Sequence, residues 1–143
     1  MESVLTPLQQ AYLLGRSDRW SLGGIAMHDF REYRGQQLDV DRLQQRLLEL
    51  MRHHDALRTC IDPLRLTQRV LPEAPLNFEL FDYTTLPVET AEQRLAALRE
   101  RYAHMCHDPQ QPLWGIAAVK LPASCPLPRV VFTSFDALIL DGP

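Results

Sequence analysis

Apolar residues recur along this chain with two different periods. From Asp39 to His54 the positions Val40, Leu43, Leu47, Leu50 and His54 fall three or four apart, while Asp41, Arg42, Gln45, Arg46 and Glu49 lie off that stripe. This spacing predicts an amphipathic helix with Asp39 as its N-cap. Ala91, Leu95, Leu98 and Tyr102 repeat the spacing behind Thr90-x-x-Gln93, which reads as a capping box, and Arg94, Arg99, Glu100 and Arg101 take the solvated side. Thr6-Pro7-Leu8-Gln9 predicts a further helix start, with Thr6 as N-cap, Pro7 at the first helical position and Gln9 closing a capping box. Leu8, Ala11 and Tyr12 form its expected apolar face, and Gly15 can end it.

Other stretches shorten the period to two or become continuously apolar. Val130, Val131 and Phe132 read as a buried strand that ends by presenting Asp136 and Asp141 around Ala137-Leu138-Ile139-Leu140. Gly115 to Lys120 and Ile25 to Tyr33 read as strands, the second after the break at Ser21-Leu22-Gly23-Gly24. Thr67 to Leu71 and Asn77 to Phe81 read as short strands, with Pro72 and Pro75 confining that region to edges or loops. Asp62-Pro63-Leu64-Arg65, just before the first of these, offers no glycine. The order is helix, strand, helix, two short strands, helix, strand, loop, strand, which suits an α+β unit with helices packed on a mainly antiparallel sheet.

Composition narrows the functional classes. With 143 residues, 45% of them hydrophobic and 23% charged, the chain suits one globular domain with no membrane span. A formal net charge of -3 argues against a general nucleic-acid binder. Cys60, Cys106 and Cys125 are odd in number and include no Cys-x-x-Cys, and the N-terminus pairs no basic residues with an apolar leader. A cytoplasmic protein with reduced thiols is the expectation. Adjacent residues such as His53 and His54 point in divergent directions on a helix, and His104, Cys106 and His107 lack a fourth ligand and read as a helix end, so neither set reads as a metal site. Asp136 and Asp141 stand out because acids set beside so much apolar surface need a partner or a purpose.

Asp136-x-x-x-x-Asp141-Gly142 at a strand end resembles the signature of heterocyclization domains of nonribosomal peptide synthetases. Asp136 and Ala137 stand where the related condensation domains carry the two histidines of His-His-x-x-x-Asp-Gly. The run Leu5-Thr6-Pro7-Leu8-Gln9-Gln10-Ala11-Tyr12-Leu13-Leu14-Gly15-Arg16 is similar to the opening motif of the same domains. Their second motif is matched at His54, Leu57, Arg58 and Thr59, with the acid held as Asp55 and departures at His53 and Ile61. Pro112-Leu113-Trp114 also matches.

The resemblance implies a chloramphenicol-acetyltransferase-like fold, with residues 1–143 as the N-terminal lobe of a heterocyclization domain and a second lobe absent. Its parent would join a carrier-bound acyl thioester to the amine of carrier-bound Cys, Ser or Thr, then cyclodehydrate the product to a thiazoline or oxazoline. The implied partners are carrier domains bearing phosphopantetheine, the missing lobe and a second copy of the chain on an uncovered face. No directly bound cofactor or metal is expected, and neither nucleic acid nor membrane is a partner. Asp136 becomes a candidate catalytic residue, and Asp141 a motif residue made structural by an ion pair with Arg58. The isolated lobe is expected to be inactive. Two other readings are a noncatalytic lobe that docks a carrier or neighbouring domain, and a degenerate condensation-type acyltransferase that keeps the motif for folding.

Overall fold

The computed structural model describes residues 2–16 and 28–140, which form two sheets and four α-helices. In chain order these are β1 (Glu2–Val4), α1 (Pro7–Gly15), β2 (His28–Gly35), α2 (Val40–His53), a 3-10 turn (Asp55–Arg58), β3 (Thr59–Asp62) and β4 (Thr67–Val70). They continue as β5 (Phe78–Asp82), α3 (Val88–Ala103), β6 (Trp114–Lys120), β7 (Arg129–Asp136) and α4 (Ala137–Leu140). A small antiparallel sheet has the order β1-β4-β3, and a larger one has the order β2-β7-β6-β5, in which β5 and β6 run parallel. The expected α+β class with mainly antiparallel pairing holds. The division into two sheets, with β1 and β3 as members, goes beyond the predicted order.

Strand β7 lies between two cores. Its residues Val130 and Phe132 meet Ala91, Leu95, Leu98 and Tyr102 of α3, together with Ala117 and Val119 of β6. On its other face Val131 and Phe135 meet a second cluster that includes Leu5, Leu47, Met51, Trp114 and Ile116. Each large side chain buried here contributes about 1.5–3 kcal/mol. Trp114 stacks on Phe135 with ring centroids 6.2 Å apart and donates its Nε1 hydrogen to the Leu57 carbonyl at 2.9 Å. That bond satisfies the indole's one polar atom inside the core.

Several local expectations change. In α2 the buried residues are Leu47 and Met51, one full (i, i+4) step, and both Leu50 and His54 are exposed. In α1 the capping box forms as expected, but Leu8 is 49% exposed and Ala11 is exposed as well, while Gln9 is buried. The Thr90-x-x-Gln93 box does not form. Pro87, with φ of -56°, is the N-cap and starts α3 at Val88, and the Ala91 amide donates to the Pro87 carbonyl at 2.9 Å. Thr90 is therefore already inside the first turn. Strand β4 is the centre of the small sheet, not an edge, because both prolines follow its last residue; β5 is an edge strand. Helix α4 follows β7 with no intervening loop.

The glycine-free hairpin between β3 and β4 has its own solution. Asp62 Oδ1 accepts from the amides of Leu64 at 3.0 Å and Arg65 at 3.1 Å, and Leu66 adopts a left-handed backbone with φ of 55°. An aspartate turn and one left-handed leucine together do what a glycine would do. A left-handed L-residue costs about 1–2 kcal/mol. Leu66→Gly should therefore raise the urea unfolding midpoint, by the equivalent of about 1 kcal/mol. A lower midpoint would show that the Leu66 side chain contributes more than its backbone costs.

Candidate functional site

Side chains along a strand alternate, so Val130, Phe132, Ser134 and Asp136 share the face that packs on α3. This carries Asp136, the last residue of β7, into the interior, where it is 1% exposed. Its amide donates to the Leu113 carbonyl at 2.9 Å. One carboxylate oxygen, Oδ1, accepts the Leu138 amide at 2.9 Å and so caps the short α4. The other, Oδ2, accepts Arg16 Nη1 at 2.8 Å.

Arg16 is the C-cap of α1, and its side chain is 8% exposed. Its Nη2 donates to the His107 carbonyl and approaches Cys106 Sγ at 3.3 Å. Two helical turns earlier, Gln9 Nε2 donates to the Leu138 carbonyl at 2.9 Å and to Gln68 Oε1 at 3.1 Å, while its Oε1 accepts the Thr6 amide at 2.9 Å. Tyr12 and Leu13 of α1 pack on the second core, while Gln9 and the C-cap Arg16 on either side of them bracket the β7–α4 junction. Burial of such groups is tolerable because their hydrogen bonds are made.

Two imidazoles adjoin this pair. His28 lies directly across from Asp136 in the β2–β7 register. His107 Nε2 is hydrogen-bonded to the buried Ser134 Oγ at 3.0 Å. Burial pushes the Asp136 carboxyl above the usual carboxylate range, against the Leu138 amide, the Arg16 guanidinium and His28, which all pull it down. Burial also pushes the His107 imidazole down to about 4, and the charges of Arg16 and His28 add to that effect. At neutral pH His107 is therefore uncharged. A cleft of about 400 Å³ opens beside it, with Met105, Tyr102 and Gly115 also in its wall.

Both carboxylate oxygens of Asp136 are therefore engaged, by Arg16 and by the Leu138 amide. The other expected site residues lie elsewhere. Arg58 donates Nε to the Met51 carbonyl, Nη1 to the Leu71 carbonyl and Nη2 to Asp55 Oδ1, each at 2.7 Å. It thereby ties the end of α2 to the end of β4. Asp141 and Gly142 fall outside the described residues, and so does the Arg58–Asp141 ion pair. His104 Nδ1 turns back to the Glu100 carbonyl, so His104, Cys106 and His107 diverge. Among the described residues no helix is long and apolar enough to cross a membrane. Ser134 could have been placed by strand alternation, and Arg16 stood in the opening motif without an assigned partner. His107 was read only as part of a helix end, and nothing in the local sequence indicated its bonds to Ser134 and Arg16.

No family model matches the chain. Pyochelin synthetase PchE of Pseudomonas aeruginosa is 39% identical over 103 residues, which cover 71% of this chain and 7% of that protein. Phenyloxazoline synthase MbtB of Mycobacterium tuberculosis is 34% identical over 103 residues, covering 70% of this chain and 7% of that one. The cyclization-docking bidomain of the nonribosomal peptide synthetase EpoB from Sorangium cellulosum superposes with a TM-score of 0.87 at 29% identity, covering 96% of this chain and 27% of that chain. The chain therefore spans a small part of each of these relatives.

Arg16→Met would leave the Asp136 carboxylate buried without its cation, and unfolding at pH 7 should become easier by about 3–5 kcal/mol. That loss should shrink on acidification as Asp136 takes up a proton, which denaturant titrations at two pH values would check. His107 gives a second pH effect. Between its ordinary value of 6.5 and about 4 the unfolded chain binds a proton that the folded chain refuses, so stability falls as pH falls through that window. His107→Gln should flatten this slope, read as the change in urea midpoint between the two ends of the window.

Proposed function

We propose that this chain, which belongs to the heterocyclization branch of the nonribosomal peptide synthetase condensation domains, forms the front lobe of a domain that makes a thiazoline or oxazoline ring. In the parent, the amine of a carrier-bound Cys, Ser or Thr attacks a carrier-bound acyl thioester, forming the amide and releasing the donor carrier's thiol. The side-chain sulfur or oxygen then attacks the new amide carbonyl, and water is lost to leave the ring. The observation that carries this reading is a meeting of motifs. Asp136, the first acid of the strand-end signature, is held at 2.8 Å by Arg16, the last residue of the opening motif.

On this reading Asp136 is a positioning residue that holds the strand end. Asp141 is structural and pairs with Arg58. Groups outside this chain complete the proton transfers of cyclodehydration, and holding both thioesters against one another supplies the rest. Phosphopantetheine arrives on the partner carrier domains, and this lobe binds no cofactor of its own. The setting is the cytoplasm, and Cys60, Cys106 and Cys125 are free thiols. Partners are carrier domains, the remainder of the parent domain and, where Val4, Leu8, Leu14 and Leu64 stand exposed, a second copy of the chain.

A second reading, a noncatalytic lobe that docks a carrier or neighbouring domain, is favoured by the engagement of both Asp136 oxygens. Intact-protein mass spectrometry separates the two. The chain is mixed with acyl-loaded and cysteinyl-loaded carrier proteins, with and without a recombinant second lobe. Condensation followed by loss of one water, only when the second lobe is present, is the expected outcome. No product in either mixture overturns the ring-forming reading and leaves the docking lobe.

A further inference from the structure

We propose that His107 is a positioning residue, whose ring, held by Ser134, fixes the backbone carbonyl that keeps Arg16 against Asp136. The two polar ends of this one residue bond to different elements. Its imidazole bonds to β7 through Ser134 Oγ at 3.0 Å, and its carbonyl accepts Nη2 of Arg16 at the end of α1. The same guanidinium then donates through Nη1 to Asp136 at 2.8 Å. Residue 107 therefore joins β7 and α1 from the connection between α3 and β6.

The ring has a seat that fixes its orientation. Ser134 is the register partner of Gly115 on β6, and a Cβ built on Gly115 would lie 3.6 Å from His107 Cε1 and 3.7 Å from Met105 Sδ. The imidazole lies over this glycine while its Nε2 reaches the serine beside it. The groups that face it are Arg16 from α1, His28 from β2, Ser134 and Asp136 from β7, and Cys106 from its own loop. Asp108, the next residue, and Glu79 of β5 line the same cleft as the ring. A neutral ring beside the Arg16 guanidinium holds the loop without adding a further charge.

The functional consequence rests on the strand end being the site proposed above, but the contact itself is measurable without substrate. The ¹³C carboxyl resonance of Asp136 is followed against pH in the folded chain. In His107→Ala the carbonyl is no longer pinned and Arg16 loosens, so the Asp136 midpoint should move up. Ser134→Ala, which removes only a hydroxyl, should move it the same way. His107→Gln keeps a group able to reach Ser134 and should restore the midpoint of the unaltered chain. An unchanged midpoint in both alanine variants overturns the proposal, as does a shift in His107→Gln as large as that in His107→Ala. If His107→Ala fails to fold, Ser134→Ala decides. Loss of ring formation with a normal set of midpoints would count against the proposed function alone.

Discussion

A carboxylate cannot remain charged in an interior unless something replaces the water it has lost. Asp136 has three such replacements: the Leu138 amide, the Arg16 guanidinium and the nearby His28. The structure depends on the second of these more than on any other polar contact. Arg16 is the C-cap of α1, Asp136 is the last residue of β7, and α4 begins at the next position. One ion pair therefore sets where a helix ends, where a strand ends and where the following helix starts. Apolar packing alone would leave these three ends free to slide, because burial is nearly indifferent to direction, whereas a short charge-assisted hydrogen bond is not.

Much of the fold was legible because it is periodic. The stripe in α3 and the apolar run in β7 face each other across the first core, as Ala91, Leu95 and Leu98 meet Val130 and Phe132. The Thr6 capping box was legible because its signal is local and its chemistry is complete within four residues. What escaped has a common physical cause. Leu8 was assigned to the buried face by polarity, and polarity fails where the neighbouring glutamine, Gln9, finds partners 59 and 129 residues away. The hairpin turn escaped because an aspartate and a left-handed leucine together replaced the expected glycine. His107 escaped because its two partners come from opposite ends of the chain.

The candidate site divides along the same line. Its acid was visible from motif spacing, while its environment was not, since the guanidinium, the imidazoles and the hydroxyl around it are brought together only by the sheet register and the helix end. Arg58 shows the converse. Its side chain is committed to two carbonyls and one carboxylate within its own neighbourhood, so its contribution to α2 and β4 stands whatever else it meets.

The two polar grips of α1 and its C-cap have a further consequence. Gln9 and Arg16 are seven residues apart, a rise of about 10.5 Å and nearly two turns, and they grip the Leu138 carbonyl and the Asp136 carboxylate at the same time. The helix is thus a ruler whose length must match the spacing of two fixed points. Inserting one residue between them would swing the arginine by about 100° around the axis and away from its acid. This segment can vary in side chains along its outer surface, but its residue count between those two positions is not free to drift.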